Sequence, residues 1–249
     1  MFFLLQFVVN ALAAADVQRE LGYAEIMASA FPHELQWLKT AETRFAALYH
    51  QADRKDTRGA AIILHDMGSY PDQALIAVEL RLQLPEHNWS TLALQMPVLE
   101  QGAQVEDYLA LFLESQARIQ AGIDFLKQHQ VTNVVLVGYG FGALMALNAQ
   151  AEKSLELQAM VLISAPVLNT DDKQAQTLEL MSKITIPMLD VYAALDLSEV
   201  TTSARQRRVA AKQNSNYRQM VIEAADHSYA HQNGLVSKRV YGWLNRVVP

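Results

Sequence analysis

Val134-Val135-Leu136-Val137-Gly138-Tyr139-Gly140-Phe141-Gly142-Ala143-Leu144-Met145-Ala146 decides how this chain is read. An unbroken apolar, β-branched run is what a strand covered on both faces of a parallel sheet requires. Glycines at alternate positions, 138, 140 and 142, then turn the backbone, and small apolar residues continue at a density suited to a packed helix. The spacing is not a dinucleotide fingerprint, because G-x-G-x-x-G needs its last glycine one residue later.

Outward from this segment the same alternation repeats. Ala60-Ala61-Ile62-Ile63-Leu64, Thr91-Leu92-Ala93-Leu94 and Met160-Val161-Leu162-Ile163 are continuous apolar runs, with two more at 188–192 and 219–222. Helical patterns lie between and after them at 72–84, 105–129, 141–153, 171–183, 202–212 and 235–247. Regular succession of strand and helix predicts βαβ crossovers and a mostly parallel sheet covered by helices on both faces. Ahead of it, residues 34–39 and 44–49 partly alternate across a short polar turn, the pattern of an antiparallel hairpin. Asp53-Arg54-Lys55-Asp56 marks an exposed loop. No repeat, low-complexity tract or Gly/Ser linker divides residues 34–249, which read as one α/β domain, with an arm at 16–33 before them.

Residues 1–15 read as a secretory signal peptide. Phe2-Phe3-Leu4-Leu5 and Phe7-Val8-Val9 form a short apolar core, and the alanines at 11 and 13–15 offer small-residue cleavage sites, although no Lys or Arg precedes the core. Gln6 and Asn10 interrupt the stretch, which is too short to span a bilayer, so no transmembrane segment is expected. The expected location is therefore periplasmic or secreted. With 249 residues, 51% of them hydrophobic, the chain can bury a full core. A net charge of −6 argues against nucleic acid as a partner. The absence of cysteine excludes disulfides, thiolate metal sites and a cysteine nucleophile. No His/Asp/Glu spacing suggests a metal, and no cofactor is expected. Arg205, Arg208 and Lys212, with Arg207 beside them, line one side of a helical pattern and read as a solvated face.

The strand–turn–helix at 134–146 is the setting of the G-x-S-x-G elbow, in which glycines flank a strained nucleophile. With Trp37, Arg44-Phe45-Ala46-Ala47-Leu48-Tyr49, Ile63-Leu64-His65-Asp66-Met67-Gly68 and Trp89-Ser90-Thr91-Leu92-Ala93-Leu94-Gln95-Met96-Pro97, it carries a resemblance over about residues 34–248. The chain resembles the α/β-hydrolase superfamily. More narrowly, it is similar to a poorly characterised family of exported proteobacterial hydrolase-like proteins. The resemblance implies an α/β-hydrolase fold without a large lid domain. It also implies an oxyanion hole formed by the N–H of Phe141 and the loop at Asp66 and Met67, where Asp66 replaces the usual glycine. The acid of the triad falls at Asp196, at the carboxyl end of a strand, with Asp190 inside that strand the weaker candidate. The histidine falls at His227, in Ala224-Ala225-Asp226-His227-Ser228 after the last strand. Elbow, Asp196 and His227 stand in the superfamily's order. His65 reads as a cap on its strand end.

The nucleophile position is Gly140, which has no side chain to attack a carbonyl. Ser69, Ser164 and Ser228 lie near these motifs, but none sits on the elbow. The expectation is a relic triad in a non-catalytic binding or assembly protein of the cell envelope, with a small molecule or an envelope protein as partner. Two alternatives stay open: an enzyme using the His227–Asp196 pair as a general base without a covalent intermediate, and an inactivated serine esterase.

Overall fold

The computed structural model describes residues 14–54 and 57–248. Most of the expected signal peptide therefore lies outside the described residues, as do Lys55 and Asp56. The elements run α1 (Val17–Ala30), β1 (Leu35–Lys39), β2 (Arg44–His50), β3 (Gly59–Leu64), α2 (Leu75–Glu86), β4 (Trp89–Leu94), α3 (Phe112–Gln128), β5 (Val134–Tyr139), α4 (Phe141–Lys153) and β6 (Ala159–Ile163). They continue through α5 (Thr177–Lys183), β7 (Met188–Leu195), α6 (Ser198–Thr201), α7 (Ala204–Ala210), β8 (Tyr217–Asp226) and α8 (Asn233–Val247).

Eight strands make one sheet in the order β1-β2-β4-β3-β5-β6-β7-β8. The β1–β2 hairpin joins it through an antiparallel β2–β4 pairing, and every pairing beyond β4 is parallel. Helices cover both faces, and the strands alternate between two apolar layers, as a period of two demands. Ile62, Leu64 and Leu136 pack with Phe112, Ile119 and Leu147 of α3 and α4. Ala61, Ile63 and Val137 pack with Met27, Leu80 and Val240 of α1, α2 and α8. Burial on both faces is why strands β3 to β6 carry no polar alternation except Ser90 and Thr91. Their hydroxyls are used: Ser90 accepts from the Ala52 N–H at 3.0 Å and Thr91 donates to the Arg81 carbonyl at 3.0 Å. This is the α/β-hydrolase architecture, and among the described residues there is no lid domain.

Several helical patterns are shorter than their sequence periodicity suggests. The 105–129 pattern opens as a 3₁₀ turn, Asp107–Leu111, before α3 begins at Phe112. The 171–183 pattern breaks into Lys173–Ala175 and α5, since the Asp172 side chain accepts from the Gln174 N–H and the Thr177 hydroxyl is drawn to the Pro166 carbonyl at 2.7 Å. The 202–212 pattern yields α7 at Ala204–Ala210, with the separate turn α6 before it. Its basic face is also corrected in one place. Arg205, Arg208 and Lys212 are exposed, but Arg207 is fully buried against Asp190 at 2.9 Å. Asp190 also accepts from Tyr217 at 2.8 Å and Gln219 at 3.0 Å, so it is a structural anchor of β7. Among the described residues no helix is long and apolar enough to cross a membrane.

The arm expected at 16–33 is a docked helix. Asp16 caps α1 by accepting from the Arg19 N–H at 3.0 Å. Glu20 reaches inward to Arg118 at 2.9 Å and accepts from the Val98 N–H at 3.1 Å. Arg118, itself buried, also bonds the Gln95 carbonyl and Glu114.

Candidate active site

Three strand ends meet at the carboxyl edge of the sheet, where α/β folds place their ligands. At the end of β5, Gly140 turns the chain into α4 with φ +57° and ψ −124°. A side chain is strained in that region, so the backbone retains the elbow's shape without its nucleophile. Gly142 allows strand and helix to approach, because a Cβ there would strike the carbonyls of His65 and Leu64.

From β7, Asp196 turns a fully buried carboxylate toward His227, which follows β8. The His227 Nδ1–H donates to Asp196 Oδ1 at 2.7 Å. The other oxygen accepts from the Ser164 hydroxyl at 2.5 Å and from the Ala193 N–H at 3.1 Å, while Oδ1 also accepts from the Leu197 N–H at 2.9 Å. Tyr229 supports Ser164 from behind at 2.8 Å. Burial by itself would raise the Asp196 pKa, but these hydrogen bonds from His227, Ser164 and the backbone hold it below the usual value. Tyr139 stacks on the imidazole, centroids 5.1 Å apart, and its hydroxyl donates to the His227 carbonyl at 2.9 Å.

The oxyanion loop departs from expectation. The Met67 and Phe141 N–H groups do converge, but both donate to a side chain, Asp66 Oδ1, at 2.7 and 2.6 Å. Asp66 is therefore the occupant of the hole and not one of its donors. Its Oδ2 lies 3.2 Å from His227 Nε2. A Cβ built on Gly140 would collide with the Asp66 carboxyl group. One carboxylate thus fills both the place of a nucleophile and the place of an oxyanion.

His227 sits between two carboxylates. Burial alone would lower its pKa, but the hydrogen bonds and negative charges of Asp196 and Asp66 outweigh this and raise it to about 9. At neutral pH the ring is a cation that donates from both nitrogens. His65, by contrast, is buried without a carboxylate side chain bonded to it, and burial lowers its pKa to about 4. Its neutral ring accepts from the Met96 N–H at 2.9 Å and donates to the Asp66 carbonyl at 2.7 Å, joining the ends of β3 and β4.

The three serines near the motifs stay off the elbow. Ser69 is buried near the Tyr70 carbonyl, Ser228 caps against Asp226, and Ser164 serves Asp196. Sequence reasoning missed Arg19 and Tyr23 of α1. Arg19 donates to the Gly68 carbonyl at 2.8 Å and the Leu99 carbonyl at 2.5 Å, and Tyr23 reaches the Gly68 carbonyl at 3.1 Å while stacking on Tyr70. No sequence signal links Arg19 to a loop 49 positions away.

A cavity of about 190 Å³ opens above Asp66 and His227. Its walls are apolar, with Val105, Pro166, Leu168, Leu197 and Val200, and Glu199 stands among them.

Fold and site together define an α/β-hydrolase-fold protein. Est1E from Butyrivibrio proteoclasticus is similar, with 18% identity and a TM-score of 0.68 over 86% of this chain and 99% of that one. So is XC6422 from Xanthomonas campestris, described as a serine hydrolase without lid, at 16% identity and TM-score 0.66 over 88% and 97% of the two chains. A serine hydrolase homologue from Coxiella burnetii matches at 13% identity and TM-score 0.66, covering 84% and 96%. Identities this low establish the fold alone. The chain belongs to a family described as protein of unknown function, DUF3530, whose model matches residues 13–111 and 108–246. Among curated proteins none matches.

Proposed function

We propose that this chain is an exported, non-catalytic binding protein of the cell envelope, in which the hydrolase site has become a pocket for a small ligand. The observation that carries this reading is the Asp66 carboxylate seated on the Phe141 and Met67 N–H groups above Gly140. Acyl transfer needs a nucleophile at the elbow and an empty oxyanion hole. Here the first has no side chain and the second is full. The general-base alternative meets a separate obstacle. With both imidazole nitrogens bonded to carboxylates and a pKa raised to about 9, His227 has no free lone pair near neutral pH. The small cavity and its apolar walls remain, which is what a binding site requires.

The test uses protein recovered from the cell envelope. Mass spectrometry is expected to place its N-terminus near Ala14 or Asp16, and a fluorophosphonate probe is expected to label nothing. Gly140→Ser alone is expected to label more weakly than the same change combined with loss of the Asp66 carboxylate, because its Cβ must first push that carboxyl group aside. Gly140→Ser with Asp66→Gly is expected to gain labelling, since His227 and Asp196 are already 2.7 Å apart. Labelling of the unaltered chain at any residue would overturn the reading, and so would recovery of uncleaved chain from the cytosol for its location.

A further inference from the structure

We propose that the space above Gly140 is a carboxylate-binding site which Asp66 occupies in cis, and that the pocket's ligand is a small monocarboxylate with an apolar tail, exchanging with the Asp66 side chain. The inference rests on the pocket being a binding site and names what it binds.

Three donors from three elements converge on one point. The Phe141 N–H comes from the first turn of α4, a 13-residue helix whose amino end carries partial positive charge. The Met67 N–H comes from the loop after β3, and His227 Nε2 from the loop after β8, 3.2 Å from Oδ2. Two donors on one oxygen and a cationic donor on the other match a planar carboxylate. A neutral carbonyl would leave His227 without the second acceptor that its geometry offers. Asp66 demonstrates the fit, since its own carboxylate satisfies all three.

The occupant can leave without unfolding the loop. The Asp66 side chain is 29% exposed, whereas its backbone is fixed by His65, by the Ser69 N–H on its carbonyl at 3.2 Å, and by Arg19 on the next turn. Exchange is therefore a side-chain rotation into water, where the displaced charge is rehydrated. Charge and shape select the incoming molecule. Asp66 and Glu199 are the carboxylates lining this space, Asp196 lies behind His227, and His227 is the cation, so a second negative charge on the ligand would be repelled by Glu199. The tail meets Val105, Pro166, Leu168, Leu197 and Val200, and a cavity of about 190 Å³ limits it to a short chain or a single ring.

Calorimetric titration of the mature chain near neutral pH tests this, with butyrate and its neutral isostere butyramide as probes. Removing the internal competitor by Asp66→Ala frees two backbone donors and a cation. That variant is expected to bind butyrate roughly tenfold or more tighter than the unaltered chain, with no comparable gain for butyramide. Asp66→Asn, which keeps an oxygen on the two N–H groups, is expected to gain far less. Asp66→Ser serves in place of Asp66→Ala if the latter does not fold, and carries the same expectation. Equal butyrate affinity with and without Asp66, or an equal gain for butyramide, overturns the carboxylate site while the apolar binding pocket survives. If neither compound binds any of the variants, the binding reading of the pocket falls with it.

Discussion

The two carboxylates on either side of His227 differ in how they are held, and the difference separates what the site has kept from what it has replaced. The Asp196 carboxylate is fully buried and accepts from Ser164, Ala193, Leu197 and His227, and at 3.5 Å from Tyr229, all close to β6, β7 and β8. Asp66 is partly exposed, accepts from two backbone N–H groups and the far side of the imidazole, and depends for its loop on α1. The first half is an arrangement a triad would use unchanged. The second half is one in which a triad cannot work. A charge inside the sheet's edge must be satisfied for the fold to form, whereas one at the pocket floor can change without disturbing the core.

On that contrast the largest effect falls on the Asp196 side. Asp196→Ala removes one partner of a buried charged pair and takes from the Ser164 hydroxyl one of its two partners, and is expected to cost roughly 3 kcal/mol in urea denaturation. Asp66→Ala, at a partly exposed pair, is expected to cost less than about 1 kcal/mol in the same measurement. Equal losses would break the comparison.

A smaller effect than that of Asp196 is expected from α1. Arg19→Ala removes two hydrogen bonds to the Gly68 and Leu99 carbonyls and is expected to cost about 1–2 kcal/mol. Faster amide exchange should be confined to the Asp66 loop and leave the Asp196 side protected.

The last effect is in pH dependence and sharpens the contrast most. His227 has a folded pKa of about 9, against an ordinary 6.5. The stability it contributes is therefore fully present below about pH 6.5 and lost as pH rises through about 9. Asp66→Asn removes one of the two charges responsible, so the His227 titration followed by NMR should move down and the alkaline loss of stability should shrink. A titration that stays near 9 would show that Asp196 alone sets it.

The elbow and the buried strands were legible because they depend on local pattern. Residues 134–146 read as strand, turn and helix, and form β5, the Gly140 turn and α4. The weaker helical patterns were overestimated where side-chain hydrogen bonds, such as Thr177 to the Pro166 carbonyl, compete successfully with the helix. Arg207 read as one of a basic row, yet its partner Asp190 stands 17 positions back in another element. Periodicity cannot report which member of a charged run turns inward.

By itself the sequence determined that a parallel sheet would form, that its elbow would carry no hydroxyl, and that His227 and Asp196 would follow in hydrolase order. Those conclusions need only residue type, period and order along the chain. Only the tertiary structure decided what fills the space above Gly140. That outcome turns on one Asp66 rotamer meeting N–H groups from two segments and a histidine 161 positions away. A hole built from backbone donors has no side-chain signature, so neither its shape nor its occupant exists until the loops after β3, β5 and β8 are brought together.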